Sequence, residues 1–113
     1  MRLRDHMQVA GGRYRELSTN SAQAFRDDVL YPELQKQHPV QIDLSKVYGL
    51  GSSFLEETFG GIIVKMGWTK KSDFDQNIQI ISDKNEIKLE AETYVKEQIE
   101  RIKNGDRARK WNP

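Results

Sequence analysis

Five consecutive residues place the tightest constraint on this chain. Val40-Gln41-Ile42-Asp43-Leu44 alternates strictly between apolar and polar side chains. Successive side chains of a strand point to opposite faces, so Val40, Ile42 and Leu44 require a core on one side, while Gln41 and Asp43 require solvent on the other. A strand covered on both faces would read as continuously apolar. Ile78-Gln79-Ile80-Ile81 repeats the pattern, with Gln79 as its polar member. Between the two lies a helical stripe from about Ser53 to Met66, made of Phe54, Leu55, Phe59, Ile62, Ile63 and Met66. Gly60-Gly61 interrupts it. Each glycine costs ~1 kcal/mol relative to alanine in a helix interior, which predicts a compensating close approach of the helix backbone to the sheet.

The flanking segments complete an α/β pattern. After a Ser18–Ser21 loop, Ala22, Phe25, Val29 and Leu30 recur at helical spacing, with Pro32 expected to kink or restart the helix and Leu34 in its last turn. Ile87, Ala91, Tyr94, Val95, Ile99 and Ile102 form the most regular helix, opened by a capping-box-like Asp83-Lys84-Asn85-Glu86 and stopped at Asn104-Gly105. Lys70 to Gln76 reads as a polar connection anchored by Phe74. At the N-terminus, Leu3, Met7 and Val9 share one face of an extended segment, Gly11-Gly12 reads as a turn and Arg13 to Leu17 as a returning strand. Strands alternating with helices imply parallel pairing through right-handed crossovers. The expected architecture is therefore a small α/β domain over residues 1–103. It has a mostly parallel four-stranded sheet, helices on one face and an N-terminal β-hairpin. Residues 104–113 are expected to be a flexible basic tail.

Composition narrows the chemistry. The 113 residues are enough for one domain, and the absence of cysteine excludes a disulfide scaffold, a thiolate zinc site and a cysteine nucleophile. No apolar run approaches the roughly 20 residues of a membrane span, and Met-Arg-Leu-Arg-Asp-His lacks the apolar core of a signal peptide; a cytoplasmic protein is expected. The net charge of +1 hides a gradient: residues 1–15 carry +3, residues 101–113 carry +4 and the body between them −6. Basic ends raise nucleic acid as a partner, but an acidic body repels phosphate, and solubilising termini account for them more simply.

One stretch bears on function. Val47-Tyr48-Gly49-Leu50-Gly51-Ser52-Ser53-Phe54-Leu55-Glu56-Glu57 joins a strand to a helix. Gly49-x-Gly51 is reminiscent of a dinucleotide loop, but Phe54 stands where the third glycine belongs, and no GK[ST] phosphate loop exists. A structural account suffices for the residue types. Ser53 and Glu56 fit a capping box, Gly49 and Gly51 permit a tight turn, and Glu56 and Glu57 favour the helix dipole. A regulatory role for an accessible serine at a helix start competes with it.

Val40 to Val47 leading into Gly51-Ser52-Ser53-Phe54 resembles the core of a STAS domain, the fold of bacterial anti-sigma factor antagonists. More closely, the chain is similar to the STAS-like domain family of unknown function over about residues 12–100. It carries Ser21-x-x-x-Phe25-Arg26 with Val29-Leu30 and Pro32, then Ile42-Asp43, Val47, Gly51 to Glu57 and Phe59-Gly60. The resemblance implies a phosphorylation candidate at Ser52, with Ser53 beside it. Gly51 replaces the acidic residue that precedes this serine in antagonists, and Phe54 the following glycine. It also implies a protein partner of the histidine-kinase-like ATPase class. Tyr48, Gly49, Leu50, Gly51, Ser52, Ser53, Glu56 and Glu57 would form the docking surface.

Catalysis finds little support. His6 and His38 have no triad-like neighbours, and the adjacent pairs Asp27-Asp28 and Glu56-Glu57 diverge on a helix, so no metal is expected. An enzyme would need carboxylates assembled by the fold, such as Asp43 with Glu56 or Glu57. The expectation is a non-enzymatic signalling module without cofactor. The runner-up is a structural module that self-associates as a homodimer through overhanging Ile99 and Ile102 of the last helix; a nucleic-acid accessory acting through basic termini is third.

Overall fold

The computed structural model describes residues 1–16 and 18–105. The two alternating segments are its strands, β1 (Val40–Asp43) and β2 (Ile78–Ile81), paired in parallel with Val40 opposite Ile78 and Asp43 opposite Ile81. Val40, Ile42, Ile78 and Ile80 are buried. They join Phe54, Phe59, Ile62, Ile63, Val95 and Ile99 in one core. Gln41 and Gln79 are exposed on the other face, where the Gln41 amide donates to the Gln79 carbonyl at 2.9 Å. The period-2 pattern thus sets which face is open.

Four helices complete the described fold: α1 (residues 22–36), α2 (residues 52–66), α3 (Lys71–Asn77) and α4 (Asn85–Lys103). α1 and α2 share an unusual feature. Each contains one wide π turn, Arg26–Leu30 in α1 and Glu56–Gly60 in α2. In α1 the Tyr31 N–H reaches back to the Arg26 carbonyl, just before Pro32. Proline lacks an N–H and crowds the carbonyl four residues earlier. The widened turn accommodates it, and the helix continues to Lys36 without a restart.

Several expectations are corrected. The sheet has two strands rather than four, and there is no N-terminal hairpin among the described residues. Leu3–Asp5 is a short 3-10 turn. Residues 1–10 run beside β1 and its extension through isolated parallel bridges, Arg2 to Asp43 and Val9 to Tyr48. Leu3 and Met7 are buried, but Val9 is 55% exposed. The chain after Gly11-Gly12 does not return along them. Its backbone instead holds the start of α1, with the N–H groups of Ala22 and Gln23 donating to the carbonyls of Gly12 and Arg13. Leu17, the end of the expected return strand, lies outside the described residues.

The supposed polar connection at 70–76 is helix α3. Asp73 accepts the N–H groups of Thr69 and Lys70, and Lys71 pairs with Asp75 one turn on. Phe74 is its buried anchor, edge-to-face with Trp68 and Phe59 at 6.0 and 6.3 Å.

α4 begins at Asn85 after Lys84, with no side-chain cap, so the Asp83 capping box is not formed; the Asp83 N–H donates to Ser45 instead. It ends at Asn104, where the glycine stop was expected, with Gly105 at φ 79°. Ile99 is buried and Ile102 packs against the core, so neither overhangs the sheet. Of the expected basic tail at 104–113, Asn104 and Gly105 close the helix, and residues 106–113 lie outside the described residues. Among the described residues no helix is long and apolar enough to cross a membrane.

Candidate functional site

Parallel pairing brings the segments that leave β1 and β2 to one end of the sheet, the place where open α/β sheets form crevices. Here they enclose a groove of about 580 Å³. Leu44, Lys46, Val47 and Tyr48 to Gly51 follow β1; Ser82, Asp83, Lys84 and Ile87 follow β2. Ser45 ties the two segments: its N–H donates to Asp43 and its hydroxyl accepts from Asp83. Hydrogen bonds from the Ser45 side chain and backbone, with the Arg4 guanidinium at 3.1 Å, outweigh burial and hold the Asp43 carboxyl below the usual carboxylate range. Lys46 takes a left-handed φ of 68°, an uncommon conformation for lysine. Gly49 follows at φ 76°, where a side chain would be strained.

The sequence-predicted residues separate into two groups. Tyr48, Gly49, Leu50 and Gly51 line the groove, and Tyr48 is 73% exposed. Ser52 and Ser53 follow on the exposed first turn of α2. Gly51, not Ser53, is the N-cap residue, and no side chain caps the helix. Ser53→Ala should therefore change stability by less than about 0.5 kcal/mol rather than the ~1 kcal/mol of a lost cap; paired thermal melts check this. Ser52 lies against α4. Burial and the Glu90 carboxylate, 2.8 Å away, raise the Tyr94 phenol pKa, while a hydrogen bond from Ser52 works against that rise.

Glu56 and Glu57 face inward, away from the groove. The Glu57 carboxylate is 1% exposed, and Arg26, also 1% exposed, donates to it at 2.6 Å. The same guanidinium grips Asp27 at 2.7 and 3.2 Å. Arg13 bridges Glu56 at 2.8 Å and Glu57 at 3.4 Å, and Lys65 reaches Asp27 at 3.2 Å. Burial pushes the Glu57 carboxyl up, against the pull of Arg26 and Arg13. For Asp27, burial raises, but Arg26 and Lys65 prevail and hold it low. Arg26 and Glu57 sit in the two π turns, so both widened turns face this pair. Gly61 makes room for it: a Cβ there would lie 2.9 Å from Arg26 Cδ and closer still to Nη1. Of the close approach foreseen for Gly60-Gly61, the part at Gly61 is to an arginine from α1 rather than to the sheet.

Asp43 is thus engaged by Arg4, whereas Glu56 and Glu57 are engaged by Arg13 and Arg26. Among the described residues no group of three or more His, Asp or Glu side chains is placed to hold a metal ion. The N-terminal arginines are also engaged: Arg2 with Asp5, Arg4 with Asp43, Arg13 with Glu56 and Arg15 with Asp28. The sequence reading missed Lys46, Ser82, Asp83, Lys84 and Ile87. The signal was present, since whatever follows β2 must sit beside whatever follows β1 once the strands pair in parallel.

The described residues form a small α/β domain with a two-stranded parallel pair and a serine-bearing helix start at its carboxyl end. The chain belongs to the family described as STAS-like domain of unknown function (DUF4325), whose model matches residues 21–88. That span holds α1, β1, the 48–51 loop, α2, α3, β2 and the start of α4. No curated protein and no solved structure matches the chain.

Proposed function

We propose that this protein is a non-enzymatic regulatory module that docks onto a protein partner through the Tyr48–Gly51 loop and the first turn of α2. The observation that carries the reading is the groove at the carboxyl ends of both strands, with Tyr48 73% exposed at its rim. A large, rigid aromatic beside a concave, partly apolar surface is the usual anchor of a protein interface. The partner class, a histidine-kinase-like ATPase, and the candidate phosphorylation of Ser52 rest on the resemblance to anti-sigma factor antagonists. Exposure of Ser52 on the first turn of a long helix is compatible with both. Glu56 and Glu57 leave the docking surface, because arginines of this chain already hold them.

The test is a binding titration against the histidine-kinase-like ATPase encoded in the gene neighbourhood. Tyr48→Ala should weaken binding by roughly 30-fold, the loss of a typical aromatic hot spot. Ser52→Asp should also weaken it while leaving the melt unchanged, because a carboxylate at a helix start suits the dipole. Parent-like binding by Tyr48→Ala would remove the loop from the interface. Parent-like binding by Ser52→Asp would end the switch while leaving the docking surface intact.

A further inference from the structure

Two of the three large hydrophobic side chains exposed among the described residues stand side by side: Val9 is 55% exposed and Tyr48 73%, while the third, Leu89, lies on α4. The backbone builds this pairing. The Tyr48 N–H donates to the Gln8 carbonyl at 3.0 Å and the Ala10 N–H to the Tyr48 carbonyl at 2.8 Å, a parallel bridge with Val9 opposite Tyr48. Residues opposed in this way put their side chains on the same face, with their backbones about 4.8 Å apart. The Asn20 amide donates to the Val9 carbonyl and the Gly11 N–H to the Asn20 carbonyl, which fixes the segment from its other side. The same corner is poor in charge. Charged residues make up 31% of the chain, yet residues 7–12 and 47–55 contain none. Of the charges that flank these segments, Arg13 and Glu56 hold each other at 2.8 Å, and Lys46 stands on the groove side. Depletion of charge around exposed aromatic and aliphatic side chains distinguishes the centre of a protein interface from ordinary surface.

We infer that Val9 and Tyr48 form one anchor, and that the partner protein meets it with an uncharged, apolar recess. The inference rests on the docking reading above and extends its surface to residues 8–10, which lie outside the family-matched span of 21–88. Electrostatic matching selects this occupant. A partner carboxylate or ammonium buried against residues 7–12 or 47–55 would lose its hydration and find no counter-charge within those segments. An apolar recess carries no such cost, and it gains by removing the Val9 methyls and the Tyr48 ring from water. The backbone bridge holds the two residues together before binding, so less conformational freedom is lost on docking than for two independent side chains.

Titrations of the full chain against the histidine-kinase-like ATPase encoded in the gene neighbourhood test it. Val9→Asp should weaken binding at least about tenfold, because it sets an unpaired charge in the recess. Val9→Thr keeps the branched shape, exchanges a methyl for a hydroxyl and should weaken binding roughly fivefold. Both should melt with the parent, since Val9 is an exposed position. Raising salt from about 0.05 to about 0.5 M should change the parent's affinity by less than about threefold, because no charge pair is screened. Tyr48→Ala separates this inference from the reading beneath it. If Tyr48→Ala weakens binding while both Val9 variants bind like the parent, the anchor pair is overturned and the docking loop stands. If none of the three variants weakens binding, or the parent does not bind, the docking reading falls and the inference with it. A loss of affinity of about tenfold or more at high salt would overturn the uncharged recess.

Discussion

Arg26→Ala should cost about 3–5 kcal/mol, the range for breaking a buried ion pair by removing one partner. Among the described residues Arg26 is the largest fully buried side chain, and its loss both opens a cavity and strands the Glu57 carboxylate. What remains near Glu57 is Arg13 at 3.4 Å. Glu57→Ala should cost less, because Asp27 still holds the Arg26 guanidinium through two hydrogen bonds. Burial keeps the Glu57 carboxyl above its ordinary range, so its ionisation opposes folding. Its contribution to stability is full at acid pH and falls as pH rises through the raised value. Glu57→Gln should therefore be milder than Glu57→Ala, retaining an acceptor without the buried charge. Replacing both partners with apolar residues of similar volume, as in Arg26→Met with Glu57→Leu, should recover most of the loss. Urea unfolding of the five chains reads this out. An Arg26→Ala chain within 1 kcal/mol of the parent would show that the pair is not what holds α1 on α2.

The contrast between legible and hidden features has a physical basis. Period-2 alternation placed β1 and β2 and chose their buried face, because that choice depends on side-chain polarity alone. The stripe of Phe54, Phe59 and Ile62 placed α2 for the same reason. The hairpin failed because Leu3, Met7 and Val9 carry no information about their partner. Leu3 and Met7 could be buried equally well by a 3-10 turn set against β1, and Arg13 and Arg15 were drawn to carboxylates rather than to a return strand. α3 was hidden because seven residues show barely two turns of periodicity, and its stability comes from Phe74 against Trp68 and Phe59. Of the candidate site, Tyr48 to Ser53 were legible from local turn chemistry. Glu56 and Glu57 were misplaced because adjacent glutamates at a helix start look the same whether solvated or paired. Only the fold brings Arg13 and Arg26 to them.

Gly61→Ala is the sharper probe of that arrangement, because it adds one methyl group and removes nothing. At an ordinary helical position it would stabilise the chain by ~1 kcal/mol. Here the new Cβ would lie 2.9 Å from Arg26 Cδ, and the side chain cannot swing away cheaply, being 1% exposed and held at both ends of its guanidinium by Asp27 and Glu57. Overpacking of this kind costs about 1–3 kcal/mol, and loss of the Glu57 contact would carry it to the upper end. The decisive measurement is a double-mutant cycle. With Arg26→Ala already in place, the methyl meets open space, and Gly61→Ala should become neutral or stabilising. The interaction energy between the two substitutions is then at least about 2 kcal/mol in favour of the double variant. Equal cost of Gly61→Ala in both backgrounds would mean that the glycine serves some purpose other than passage of the arginine. If the predicted coupling appears, the two π turns, the buried pair and Gly61 form one unit that sets how α1 packs on α2. The first turn of α2, and with it Ser52 at the edge of the groove, is then positioned by an arginine 26 residues away in sequence.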